Sequence, residues 1–297
     1  MAFHIAAQRA RGPSHRKTHK PCQDACRAAR APLIHSENEK GDRPAELIIG
    51  AVADGGGSRD LSHVGARLTV SLAVASMTSA WDAHSLQAAS AEQLASYWRA
   101  LCEDCRRILR LEAETRGIVG KDGLGDAGPF ACTLVAFMAT RERLVAAQVG
   151  DGFLVIGRSA GEAEGQREYA LAFQNRETEE AGQVVWLTAS NWSDDLRTGV
   201  FDGPIEFVVA SSDGMEKAVL QPDVDVPSRL QPHGRYFEQL VAGCRDTVGE
   251  AETAGDDTRI ALDQYLAKVL SSPHLDDRTD DDKSMALAVW CGQTGAT

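Results

Sequence analysis

Glu46 to Gly57 reads Glu-Leu-Ile-Ile-Gly-Ala-Val-Ala-Asp-Gly-Gly-Gly. The short apolar run, rich in β-branched residues and without polar alternation, has the pattern of a buried strand, and the aspartate and glycines end it in a turn. Three more segments place aspartate at or just beyond the end of an apolar run: Val149-Gly150-Asp151, Ser211-Ser212-Asp213-Gly214, and Asp280-Asp281-Asp282-Lys283-Ser284 at the head of the last one. A single Asp-Gly is usually only a turn. Several carboxylates carried to strand ends by distant parts of one chain point instead to a site for a hard cation, which takes oxygen ligands and keeps several waters.

Around these segments the periodicity changes twice. Asp60 to about Trp81 spaces Leu61, Val64, Leu68, Leu72 and Ala75 three or four apart, which predicts a helix with Asp60 available as N-cap; Ser90 to Arg116 predicts a second. The middle of the chain is mostly β: strands are expected over Phe130–Met138, Arg143–Val149, Phe153–Gly157, Glu168–Phe173, Val184–Leu187 and Ile205–Ala210, with Ser190–Gly203 as a polar flap. Helices follow around Arg235–Arg245 and Asp257–Leu270, and Ser284–Cys291 closes the pattern as a strand. On periodicity alone this is a mixed α/β domain with many strands.

The 297 residues carry 31 basic and 43 acidic side chains, a net charge of −12, so no basic patch for nucleic acid is visible. No apolar run reaches the roughly 18 to 20 residues of a membrane span, and Met1 to Arg16 lacks the apolar core of a signal peptide; a cytoplasmic protein is expected. The seven cysteines are odd in number and scattered, which argues for thiols. Cys102 and Cys105 share a helical stripe and have no second ligand pair for zinc. None of the seven has an arginine six positions on, which excludes the C-x5-R loop of thiol-based phosphate-ester hydrolysis. The Gly55-Gly56-Gly57 run is not followed by G-K-[S/T], so it is no nucleotide-binding P-loop.

Upstream, Gly12-Pro-Ser14-His15 is followed by Pro21-Cys22-Gln23-Asp24. With the four later segments, this order and spacing resembles the type 2C metal-dependent protein phosphatases from about Gly12 to Trp290, in particular bacterial members with Gln-Asp where others have Glu-Asp. The resemblance implies one domain, residues 1–297, folded as a four-layer α-β-β-α sandwich with two central antiparallel sheets. It implies two Mn²⁺ or Mg²⁺ ions held by Asp54, the Gly55 carbonyl, Asp213 and Asp281, with Asp280 and Asp282 as rivals for the last place. Asp24 would accept hydrogen bonds from metal-bound water, and Asp126, with Asp122 behind it, is the nearest candidate for a third ion. Asp151 is read as a turn residue more than as a ligand.

The implied reaction is direct attack of a metal-bridging water on phosphoserine or phosphothreonine of a protein substrate, opposite a serine/threonine kinase. Where relatives place an arginine for the substrate phosphate, this chain has His19 and Lys20, so a point charge replaces a bidentate fork. Where eukaryotic relatives have a proton-donating histidine after Asp-Gly, it has Gly56, leaving metal-bound water or His15 as donor. Two other readings stay open: a pseudophosphatase that binds phosphoproteins without turnover, and a hydrolase of small phosphate esters.

Overall fold

In the computed structural model, which describes residues 2–31, 46–123, 125–159, 167–174 and 184–291, the apolar runs become strands that are buried on both faces. The strands are β1 (Ala2–Ala10), β2 (Ala25–Arg30), β3 (Ile48–Ala53), β4 (Leu134–Ala139), β5 (Arg143–Val149), β6 (Phe153–Ser159), β7 (Arg167–Leu171), β8 (Arg197–Asp202), β9 (Ile205–Ser211), β10 (Leu220–Pro222), β11 (Leu230–Pro232) and β12 (Lys283–Cys291). Two five-stranded antiparallel sheets form, in the orders β1-β12-β9-β6-β7 and β2-β3-β4-β5-β8, while β10 and β11 make a separate hairpin. The helices are α1 (Pro13–Lys17), α2 (Ser62–Ala80), α3 (Ala83–Ala88), α4 (Ala91–Thr115), α5 (Trp192–Asp195), α6 (Glu216–Val219), α7 (Gly234–Ala254), α8 (Thr258–Leu270) and α9 (Pro273–Asp276).

Side chains alternate across each strand, so every inner strand feeds two cores. Ile48 and Val52 of β3 meet Phe137, Val208 and Ala286 between the sheets. Ile49, Ala51 and Ala53 of the same strand face α2 and α4, against Ala73, Met77 and Trp98. On the other side Phe207 and Val209 of β9 and Leu287 of β12 pack on Phe237 and Val241 of α7 and Leu266 of α8. Three apolar layers between four structural ones give the expected α-β-β-α sandwich. Fully burying a large aliphatic or aromatic side chain contributes about 1.5–3 kcal/mol, so each doubly covered strand is costly to displace.

The α4 start is the one anticipated: Ser90 is the N-cap and forms a reciprocal capping box with Gln93. Four expectations need correction. Leu61, not Asp60, sits at the α2 N-cap, without a side-chain cap bond. Phe130 belongs to a 3-10 turn, Gly128–Phe130, and the strand starts at Leu134. Val184–Leu187 is no strand: Leu187 is buried and its N–H donates to the Cys132 carbonyl, which fixes the segment through one anchor instead of a ladder. Ser190–Gly203 is no flap, because it folds into α5 and into β8, which pairs with β5 over Arg143–Gln148.

No helix among the described residues is long and apolar enough to cross a membrane. All seven cysteines are free thiols, and Cys102 and Cys105 are buried in α4.

Candidate metal centre

The antiparallel pairing brings the acidic segments to one end of the sandwich. Asp54 follows β3 and Asp213 follows β9; Asp151 lies in the crossing from β5 to β6; Asp24 and Asp281 precede β2 and β12, whose partner strands run the opposite way. Carboxylate oxygens of Asp54, Asp151 and Asp213 lie within 4.8 Å of one another. Asp24, buried behind them, accepts a hydrogen bond from Ser212 Oγ at 2.6 Å on Oδ2, while its buried Oδ1 has no hydrogen-bond partner among the described residues. Ser284 in turn donates to the Ser212 hydroxyl through both its N–H and its Oγ, each at 3.1 Å.

The loop before β12 separates the three candidate aspartates. Asp282 is buried and spent on the scaffold: Oδ1 accepts from the Gly12 N–H at 2.7 Å, and Oδ2 faces the Gln23 N–H at 2.5 Å and His15 Nδ1 at 2.9 Å. Asp280 and Asp281 are both exposed and both line the cavity beside Asp213, and the Asp280 carbonyl accepts from the Ser14 N–H at 3.0 Å. Asp281 is the one whose charge raises the carboxyls of Asp54, Asp151 and Asp213, and a Cβ on Gly214 would fall 1.9 Å from the Asp282 carbonyl oxygen. Only glycine lets the two loops approach this closely.

Asp151, expected as a turn residue more than as a ligand, brings its carboxylate into this cluster. Its turn needs Gly150, at φ 93°, and is clamped from the segment expected to be a flap: Asp195 Oδ2 accepts from the Gly150 N–H at 2.7 Å, while Arg197 donates to the Gly150 carbonyl. The signal was the same apolar-run-then-Asp-Gly pattern as at Asp54. Gly55 lies beside the cluster in a β-bridge with Cys132.

The cluster's electrostatics are those of like charges out of water. Burial first, then Asp24 and Asp213, pushes the Asp54 carboxyl well above its ordinary range. Burial, then Asp151 and Asp281, pushes Asp213 up to about 8. Burial raises Asp24 to about 6 against the hydrogen bonds that favour its charged form. Asp151 is raised by burial, with Asp195 and Asp281 adding to it. An all-oxygen donor set with this much unbalanced negative charge fits Mn²⁺ or Mg²⁺ in kind.

A cavity of about 610 Å³ opens beside Asp213 and Asp281, and Ser14, His15, Lys20, Lys217 and Arg278 also line it. Lys20 donates from Nζ to the Gly57 carbonyl at 3.3 Å, which holds its ammonium at the rim. His19 is exposed and is not among the lining residues. Nor does the structure bring Asp126 or Asp122 to the cluster: Asp126 is exposed and its Oδ1 accepts from the Gly128 N–H at 2.9 Å, closing a local turn.

Comparison with known proteins gives this sandwich, with its acidic loops gathered at one end, its class. The family model for protein phosphatase 2C matches residues 11–270. Serine/threonine-protein phosphatase 3 of Escherichia coli is 27% identical over 290 residues, covering 98% of this chain and 99% of that protein. Among solved structures, the serine/threonine phosphatase Stp1 of Staphylococcus aureus superposes with a TM-score of 0.54 at 14% identity, over 98% of this chain and 96% of that one. The S. agalactiae serine/threonine phosphatase gives 0.55 at 15% identity, over 97% and 99%. The chain belongs to the protein phosphatase 2C family and is a protein serine/threonine phosphatase.

Proposed function

We propose that the protein hydrolyses phosphoserine and phosphothreonine of protein substrates with two bound Mn²⁺ or Mg²⁺ ions, in one 297-residue catalytic domain of the cytoplasm. The observation that carries this reading is the convergence of Asp54, Asp151 and Asp213 at one point, beside a cavity lined by Asp281 and Lys20. Asp54, Asp213 and Asp281 would hold the ions, with the Gly55 carbonyl, and Asp151 joins them as a ligand candidate. Bound ions would supply an activated water and neutralise phosphate charge.

The chain's own residues set the geometry. Asp24, locked by Ser212, would accept hydrogen bonds from water on the bound ions. Lys20 attracts the substrate phosphate as a point charge, with His19 further out along the same loop. His15, fixed by Asp282 through Nδ1 and lining the cavity, supplies the proton that the leaving alkoxide needs. A serine/threonine kinase would produce the substrate.

The test is phosphate release from a phosphothreonine peptide with Mn²⁺, Mg²⁺ or EDTA, with Asp54→Asn alongside. Release that requires metal and disappears in the variant is expected. Metal binding without release would make the protein a phosphoprotein-binding pseudophosphatase, and release from nucleotides but not the peptide would make it a small-ester hydrolase.

A further inference from the structure

A second cavity, of about 300 Å³, lies between β1, β2 and α2, and each element contributes one arginine to it: Arg9, Arg27 and Arg67. Gln8 and Ser71 add neutral donors, and the remaining lining is small or apolar, without a carboxylate. In a chain with twelve more acidic than basic side chains, three guanidinium groups around one acid-free cleft oppose the overall charge balance. Among the described residues none of the three forms an ion pair. Arg67 Nε donates to the His63 carbonyl at 3.0 Å, Arg9 donates to the Asp24 carbonyl, and each keeps further N–H groups for a ligand. Buried in part beside them, His63 is lowered by desolvation and then by Arg67, Arg116 and Arg9, which registers the positive field of this face.

We propose that this cleft is an anion site for a phosphate-type oxyanion, separate from the catalytic cavity. Guanidinium forks match tetrahedral oxyanions through paired, charge-assisted hydrogen bonds, and three arginines from three elements surround a single small anion. The volume lies at the small end of ligand pockets, which suits one phosphoryl group rather than a nucleotide. Arg9 joins the cleft to the Asp24 backbone, so occupancy reaches the segment that positions Asp24 beside Asp54.

The oxyanion comes either free or esterified on a peptide, and calorimetric titration of the full chain separates the two. Inorganic phosphate and a phosphothreonine peptide are each titrated into the wild type, Arg27→Gln/Arg67→Gln and Lys20→Ala, all in EDTA to suppress turnover. Arg27 and Arg67 are exposed, and Arg9 is left intact because it braces Asp24, so equal melting temperatures certify the double variant's fold. A site present in the wild type and in Lys20→Ala, and weakened about tenfold or more in the double variant, supports the proposal; binding of phosphate alone assigns the free anion, and binding of the peptide identifies an esterified one. Unchanged affinity and stoichiometry in the double variant, or no saturable binding of either probe to wild type, overturns it.

Discussion

Lys283 is fully buried, and its ammonium donates to Asp276 Oδ1; Arg16 binds the other oxygen of that carboxylate at 2.5 Å. Burial alone would push Asp276 up, yet Lys283 and Arg16 hold it below 3.8. Asp276→Asn removes the only negative partner that the described residues give this ammonium. Breaking a buried pair from one side costs about 3–5 kcal/mol, and since the asparagine oxygen still accepts one hydrogen bond the lower end, about 3 kcal/mol, is expected. Lys283→Met fills a similar volume without charge, and an apolar replacement of a whole buried pair is often near neutral. The double variant Asp276→Asn/Lys283→Met should therefore fall within about 1 kcal/mol of the wild type, a coupling of about 2 kcal/mol or more. Urea denaturation of all four proteins in EDTA at neutral pH measures the cycle. The reasoning fails if the double variant is no more stable than Asp276→Asn alone. Because Lys283 adjoins Asp282 and Asp281, the single variant should also bind Mn²⁺ more weakly.

Asp54→Asn and Asp213→Asn should each abolish metal-dependent phosphate release while melting no lower than wild type in EDTA, since each removes a charge from a repulsive cluster; retained turnover would refute the metal assignment. The pH response follows from the raised carboxyls: a group whose folded value exceeds its unfolded one adds stability that is complete below the unfolded value and is lost as pH climbs through the folded one. With Asp24 at about 6 and Asp213 at about 8 against 3.8, the metal-free protein's melting temperature should decline from about pH 4 to about pH 8, and saturating Mn²⁺ should remove that decline, as calorimetry at several pH values would show. Gly214→Ala should displace the Asp281 loop and raise the Mn²⁺ concentration needed for half-maximal activity about tenfold or more, without loss of secondary structure by circular dichroism. Arg197→Gln should loosen the Gly150 turn that carries Asp151, giving an activity loss at low Mn²⁺ that high Mn²⁺ restores; a loss independent of metal would refute the clamp.

The inner strands were legible because they are apolar on both faces. Ile48–Ala53 and Ile205–Ser211 read as unbroken runs, and helix α4 carried both a stripe and a capping box. Strands β1, β2 and β8 were missed, as was the short β10–β11 hairpin; the first three lie at sheet edges, where one flank is open and arginines interrupt the pattern: Ala-Cys-Arg-Ala-Ala-Arg is a strand only because Ile48–Ala53 lies beside it. At the site, the sequence showed which aspartates end strands but not which way each one points. Asp282 and Asp281 are neighbours in one acidic run, and only the tertiary contacts of Gly12, His15 and Gln23 consume the first and leave the second to the cavity. Asp126 was a candidate by position, and the structure adds that its carboxylate closes its own turn.

Strand β1 pairs with β12 along its whole length, from Ala2 with Cys291 to Ala10 with Lys283, and this register sets Gly12 and His15 against Asp282. The contact is among the most distant the chain can make, so its loop-closure entropy falls due before the reward does. On the proposed assignment of Asp281, a chain that has delivered Asp54, Asp151 and Asp213 but not β12 would still lack its fourth acidic loop, so synthesis itself would act as a safety catch until this ladder zips shut.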